Sequence, residues 1–447
     1  MEFKDFKTLV AEAAKKAGIG DYELYYVSRE ESEVSMFNGE TTDFTASLTG
    51  GVAFRCILGG HVGSAGTQDL SPAQAESLVR RAMDNALTLE KETEAFFAEG
   101  GAVYPECKPA DMPVLTPEAL TKAAFDANEA LKVSHEKITD RCSTQAVTQQ
   151  TKTCLVNSRG VDLTWSSSVD AVVLGAVVSD GTEDNDDYDI KAGDPASLDL
   201  KEIAKKTAAR AAAKLGAGVA PTGAYPVIFA PEAMYQMVLT FASAFSAENA
   251  RKGLSALRDK EGEVIASPLV TLTDDPFWPE NPYSRIFDGE GSPTARKEVI
   301  SGGVLKTLLY DLSSAHAAGK RTTGNASRSD YDSPVSIQPY TFVLAPGELT
   351  EEELLAKCGN GVWIDSLGGT HAGANPISGD FSLQSSGFLV ENGKKTAAVR
   401  SFTVSGNFFD LLKDITALSD KAVLPRIGLP SVAAPAVLVR ELTISGK

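Results

Sequence analysis

The chain has 447 residues, 43% of them hydrophobic and 23% charged, with a formal net charge of −18 from 42 basic and 60 acidic side chains. That length exceeds what one hydrophobic core normally organises, so two domains are expected, at residues 1–220 and 221–447. The acidic excess, with no compensating Lys/Arg cluster, would repel a phosphate backbone and excludes direct nucleic-acid binding from the expected functions.

Residues 6–17 place Phe6, Leu9, Val10, Ala13 and Ala14 at helical spacing, and Gly18 stops the helix. Short strand-like runs follow at 22–28, 33–37, 42–48, 52–58 and 61–65, with turns expected at Asn38-Gly39, Gly50-Gly51 and Gly59-Gly60. Ser71-Pro72 opens a helix to about Leu89 that would cover one face of this sheet. The stretch 90–114 reads as irregular, and Thr116-Pro117 opens a second helix to about Val133. Strands are expected at 138–149, 151–157 and 161–178, the last two joined by the turn Ser158-Arg159-Gly160. The acidic run Glu183 to Asp189 lacks the spacing and closing Glu of a calcium loop and reads as a solvated loop. A third helix spans 200–215, and 216–223 connects to the second half.

There a strand at 225–229 precedes a helix at 231–249 whose Met234, Met237, Val238, Phe241 and Phe245 mark a buried face. A strand at 269–273, a Pro-rich surface excursion at 274–285, a hairpin around Gly302-Gly303, a short helix at 313–318 and a strand at 335–344 come next. Thr350 and Glu353 form a capping box for a helix at 350–357. An antiparallel hairpin is expected around Glu391-Asn392-Gly393-Lys394, with Phe388 and Val390 before the turn and Val399, Phe402 and Val404 after it alternating with polar residues, and 408–418 returns to helical spacing. The fold class is α+β: an N-terminal antiparallel sheet with helices on one side, then a mostly β domain with a few helices.

Five cysteines, Cys56, Cys107, Cys142, Cys154 and Cys358, form no Cys-x-x-Cys pair and are expected as cytoplasmic thiols. No basic-then-apolar leader and no apolar run near the ~20 residues of a membrane span are present, so no membrane association is expected.

Catalytic templates fail one by one. His135-Glu136 has Thr139 and Asp140 where a second zinc histidine would fall. Gly63-Ser64-Ala65-Gly66 is no nucleophile elbow, Gly319-Lys320-Arg321-Thr322 no P-loop, and Gly359-Asn360-Gly361 lacks the third glycine of a dinucleotide fingerprint. One cluster remains. Asp365, His371, Asn375, Asp380 and Ser382 crowd a Gly-rich segment that is either a peptide-binding loop, a site for a hydrolytic His-Asp pair, or a set of turn formers between strands.

The runs NPISGDFS from Asn375, SGFLVENGK from Ser386 and VRSFTVSGNFFDLLKDI from Val399, with Asn157-Ser158-Arg159-Gly160 upstream, resemble the TldD/PmbA family of DNA gyrase modulators, and within it the PmbA (TldE) branch. The likeness covers almost the whole chain and is strongest from about Thr222. Catalytic members of that family resemble zinc peptidases: one helix carries His-Glu-x-x-x-His and a later cysteine adds a ligand, holding the metal with an open position for water. The matching helix here, 231–249, has no histidine, its carboxylates Glu232 and Glu248 lie at its ends, and no cysteine follows Cys358. The resemblance therefore implies a metal-free chain without catalytic residues. It would pair as a heterodimer with a TldD-like, zinc-bearing peptidase subunit acting on peptides or unfolded proteins in the cytoplasm, and form a homodimer when alone. In that setting His371, Asn375, Asp380 and Ser382 would make a peptide-binding loop and the hairpin an exposed edge for strand pairing. Two other readings stay open: a self-sufficient, metal-independent hydrolase built on His371, and a regulatory module that contacts gyrase itself.

Overall fold

The computed structural model describes residues 1–88 and 96–447. In the N-terminal half the chain runs α1 (Phe3–Lys16), β1 (Asp21–Phe37), β2 (Glu40–Leu58), β3 (His61–Thr67), α2 (Pro72–Leu87), α3 (Pro117–Lys132), β4 (Ser143–Asn157), β5 (Asp162–Ser179), β6 (Asp184–Ala192) and α4 (Leu200–Ala213). The six strands form one antiparallel sheet in the order β3-β2-β1-β4-β5-β6. Strand alternation sorts its side chains. Leu24, Val34, Met36, Val52, Phe54, Ala146, Val172 and Leu174 point to one face, where α1 to α4 cover them. On the other face Tyr25, Val27, Ala53, Leu155 and Trp165 meet Phe287 and Tyr331 from the C-terminal half. The helices thus sit on one side, as the sequence predicts.

The strands are longer than the sequence suggests. β1, β2 and β4 each run unbroken where two short pieces are expected, and Gly50-Gly51 is no turn. Gly50 has φ +124° and pairs with Ser28; a Cβ there would lie 2.1 Å from the Val27 carbonyl oxygen. At Gly51 a Cβ would lie 2.8 Å from the Tyr331 ring, so the two glycines kink a continuing strand and let the other half approach it. The acidic run expected as a solvated loop is edge strand β6: Asp187 and Asp189 turn to Arg210 of α4, Asp187 also to Lys214 just after it, while Asp184 pairs with Arg141 and Glu183 with Arg400. The end of the expected helix at Leu89 and the start of the irregular stretch, through residue 95, lie outside the described residues.

The C-terminal half comprises β7 (Gly223–Phe229), α5 (Pro231–Thr240), a 3-10 turn (Ala242–Phe245), α6 (Ala247–Arg251), β8 (Leu272–Asp274), β9 (Lys297–Ser301), β10 (Val304–Leu305), α7 (Leu312–Ala317), β11 (Ala326–Ser327), β12 (Ser336–Ile337) and β13 (Thr341–Leu344). Then come α8 (Glu351–Cys358), β14 (Gly361–Gly368), α9 (Thr370–Gly373), β15 (Asp380–Glu391), β16 (Lys394–Asn407), α10 (Phe408–Lys413), β17 (Ile415–Leu418), β18 (Ser431–Ala433) and β19 (Val437–Ser445). One sheet has the order β10-β9-β8-β13-β18 and a second β16-β15-β14-β7-β19-β17. In the second, β16 also pairs with β19, so β7, β14, β15, β16 and β19 close into a ring.

That closure overturns the exposed hairpin edge. Thr403 to Ser405 of β16 bond to β19, and Gly218 bonds on either side of Val399, leaving little free edge for an added strand. The expected helix at 231–249 is broken at Phe241, because Ser246 caps a separate α6 and Ala247 N–H donates to the Leu309 carbonyl. Residues 408–418 divide into α10 and β17, the latter pairing with β19. The Pro-rich segment after Asp274 is anchored, not superficial: Asn281 is buried and donates to Thr341 Oγ1 at 2.9 Å and the Gly428 carbonyl at 2.8 Å.

Candidate functional site

His371 is exposed on α9, which lies beside α5. Among the described residues no hydrogen bond or ion pair joins it to Asp365 or Asp380. Asp365 instead accepts from Trp363 Nε1 at 2.6 Å near Lys395 and Lys214, and burial raises its pKa. Asn375 and Asp380 do come together, through the Asn375 N–H to the Asp380 carbonyl at 2.8 Å, while the Asn375 side chain accepts from Ile377 N–H at 3.0 Å. The Asp380 carboxylate accepts from Asn407 and Ser378, which lower its pKa. The Ser382 hydroxyl accepts from Ser405 Oγ at 3.0 Å. All four residues named for a peptide-binding loop are exposed, and the bonds of Asn375, Asp380 and Ser382 serve the turn and the β15–β16 ladder.

The segment expected to match the metal helix of the resembled family contains no histidine or cysteine, and its two carboxylates are held in ion pairs. Met234, Met237, Val238 and Phe241 point into the main core, with Phe241 stacked on Phe408 at 4.5 Å between ring centroids. Glu232 pairs with Arg426 at 2.6 Å, Glu248 with Arg251 at 2.8 Å, and Gln236 Oε1 accepts from the Leu367 N–H at 2.6 Å. Thioethers and hydrocarbon in that position do not fit a zinc ion, which needs imidazole, thiolate or carboxylate. Among the described residues no three His, Cys, Asp or Glu side chains gather where they could hold a metal.

What the two halves do build together is a cleft along the helix-free face of the N-terminal sheet. Two adjoining cavities of about 340 and 570 Å³ that share Ser284 lie along it, and a third, of about 560 Å³, is lined by Ser28, Glu30, Gln150, Lys152, Ser166 and Ser168 from the opposite face of the sheet. The innermost, about 340 Å³, is bounded by Tyr25, Arg29, Trp165, Tyr283, Arg285, Asp288, Arg328 and Tyr340 among others.

Beneath it lies a buried charge network. Glu23 of β1, fully buried, pairs with Arg55 of β2 at 2.9 Å and with Arg328 from the C-terminal half. Arg328 also lies over the Tyr25 ring, 4.4 Å from its centroid. Asp288 accepts from the N–H groups of Glu290, Ser292 and Ala326, and Glu290 accepts from the Leu312 N–H at 2.9 Å. Burial raises both carboxyls, Asp288 to about 6 and, with the Asp288 charge adding to it, Glu290 to about 8. Sequence reading passed over this network. Its one local signal is Glu23 directly opposite Arg55 in the β1–β2 register, flanked by apolar positions.

Family models match most of the chain: PmbA/TldA metallopeptidase domain 1 over residues 22–86, the central domain over 108–215 and the C-terminal domain over 222–446. A protein of Haemophilus influenzae named metalloprotease PmbA homolog is 26% identical over 439 residues, 94% of this chain and 91% of the relative. Among solved structures, a proposed modulator of a DNA gyrase from Thermotoga maritima superposes with a TM-score of 0.89 at 30% identity, covering 99% of this chain and 100% of the other. TldE from Thermococcus kodakarensis gives 0.88 at 22% identity, covering 98% and 99%, a likeness of fold. The chain belongs to the PmbA/TldD metallopeptidase family.

Proposed function

We propose that this chain is a non-catalytic, metal-free subunit that works in the cytoplasm with a TldD-like zinc peptidase on peptides or unfolded proteins. The observation that carries the reading is the chemistry of α5 and its continuation, which has no histidine or cysteine and packs Met234, Met237, Val238 and Phe241 into the core. The partner supplies the zinc and the chemistry; this chain shapes access to it. Alone it forms a homodimer through the surface that would otherwise take the partner. The neighbour named for gyrase favours a second reading, a regulatory contact, and the charge of −18 directs any such contact to the gyrase protein rather than its DNA. A hydrolytic centre at His371 gains no support, since that side chain stands apart from both nearby carboxylates. Zinc content and peptidase activity, measured on the chain alone and mixed with a TldD-like partner, test the proposal.

A further inference from the structure

The charge around the innermost cavity does not balance. In a chain with 18 more acidic than basic side chains, Arg29, Arg285 and Arg328 converge on a space of about 340 Å³ whose lining contains one carboxylate, Asp288. Asp288 accepts from three backbone N–H groups and lies close enough to Arg328 to feel its charge, so this one carboxylate faces three guanidinium groups. Glu23 is shared between Arg55 and Arg328. Arg328 is 1% exposed, and its Nε is buried with no partner among the described residues. Arg29 and Arg285 form no ion pair with any described carboxylate. The Tyr340 side chain, on a residue 7% exposed, lines the same cavity with its hydroxyl unbonded to any described residue.

An uncompensated guanidinium and an unpaired phenol at a cavity wall are costly unless an acceptor arrives to use them. A carboxylate suits this set: it accepts from Arg in a bidentate fork, takes a further bond from a phenol, and carries the missing charge. The remaining walls mix the rings of Tyr25, Trp165 and Tyr283 with the polar side chains of Gln149, Thr151, Ser167 and Gln338, a surface that accommodates a peptide backbone as well as a side chain. The adjoining cavity of about 570 Å³, which shares Ser284, extends the space for a longer ligand.

We propose that this cavity is an anion subsite that takes the free C-terminal carboxylate of a peptide, the preceding residues lying along the cleft. The choice of a peptide rests on the peptide-processing role proposed above; the anion subsite itself rests on Arg29, Arg285, Arg328 and Tyr340. It gives the subunit a task that tolerates many sequences, holding chain ends rather than reading side chains.

The test is calorimetric titration of the purified chain with a pentapeptide ending in Phe as the free acid, the same peptide as its C-terminal amide, and inorganic phosphate. The free acid should bind at least about 10-fold more tightly than the amide, and Arg285→Gln should remove that difference while leaving the melting temperature unchanged. Arg285→Lys should keep part of it. Equal binding of acid and amide, binding of neither, or an unchanged preference in Arg285→Gln would overturn the subsite. Phosphate binding as tightly as the peptide acid would overturn the assignment to a peptide terminus. Acid-selective binding in a chain whose mixture with the partner has no peptidase activity would sink the subunit role and leave the subsite standing; an active mixture without acid selectivity would do the reverse.

Discussion

Glu23 and Arg328 are 305 residues apart in sequence and form an ion pair whose side chains are 0% and 1% exposed. Glu23 belongs to β1, in the middle of the N-terminal sheet, and Arg328 follows β11 in the C-terminal half, so the pair fastens one half of the molecule to the other. Arg55, adjacent on β2, makes the carboxylate a shared counter-ion.

Removing that charge strands two buried guanidinium groups. Breaking one side of a buried ion pair costs about 3–5 kcal/mol, and Glu23→Gln, which retains an acceptor oxygen, is expected near the lower end. Denaturant midpoints of the wild-type chain and the variant measure it; a loss under about 1 kcal/mol would mean that the halves are held together elsewhere.

The same interface should make stability fall with rising pH. A carboxyl whose pKa is raised on folding binds its proton more tightly in the folded chain. Its contribution is whole below the unfolded value, 4.5 for Glu290, and is lost as pH climbs toward about 8; for Asp288 the window runs from 3.8 to about 6. Urea titrations at pH 5, 6.5 and 8 should show declining stability, and Glu290→Gln should flatten the upper part of the slope. An identical slope in the variant would show that Glu290 does not hold that proton.

Features set by neighbouring residues were legible in the sequence. Asn392 and Gly393 take φ values of 51° and 74° in the hairpin turn, and Thr350 with Glu353 forms the capping box. Features decided across the fold were not. The spacing of Met234, Met237, Phe241 and Phe245 fits one helix, yet Leu309 claims the Ala247 N–H and the helix breaks. Gly50-Gly51 has the composition of a turn, but pairing with β1 carries the strand through it. Arg285 and Tyr340 read as ordinary loop and strand residues, because what gives them meaning is the face of a sheet folded from the other half.

Phe241 should behave as a core residue. It stacks on Phe408 and meets the edge of Phe381 at 6.4 Å, so Phe241→Ala is expected to cost about 3–5 kcal/mol. Chemical denaturation measures this, and a cost below about 1 kcal/mol would return that segment to the search for a functional site.

His371 should be dispensable. It is exposed, and His371→Ala is expected to change stability by no more than about 0.5 kcal/mol and to leave peptidase activity of the mixed subunits unchanged. A 10-fold fall in that activity would place chemistry, or a required peptide contact, in the loop before β15.

The proposed role, shape without chemistry, is open to one direct measurement. Metal analysis and peptide cleavage, on the chain alone and after mixing with a TldD-like subunit from the same cell, address it directly. The chain alone is expected to hold no stoichiometric zinc and to cleave nothing, with activity appearing in the mixture and zinc following the partner. One zinc per chain, or cleavage by the chain alone that survives a chelator, would contradict it.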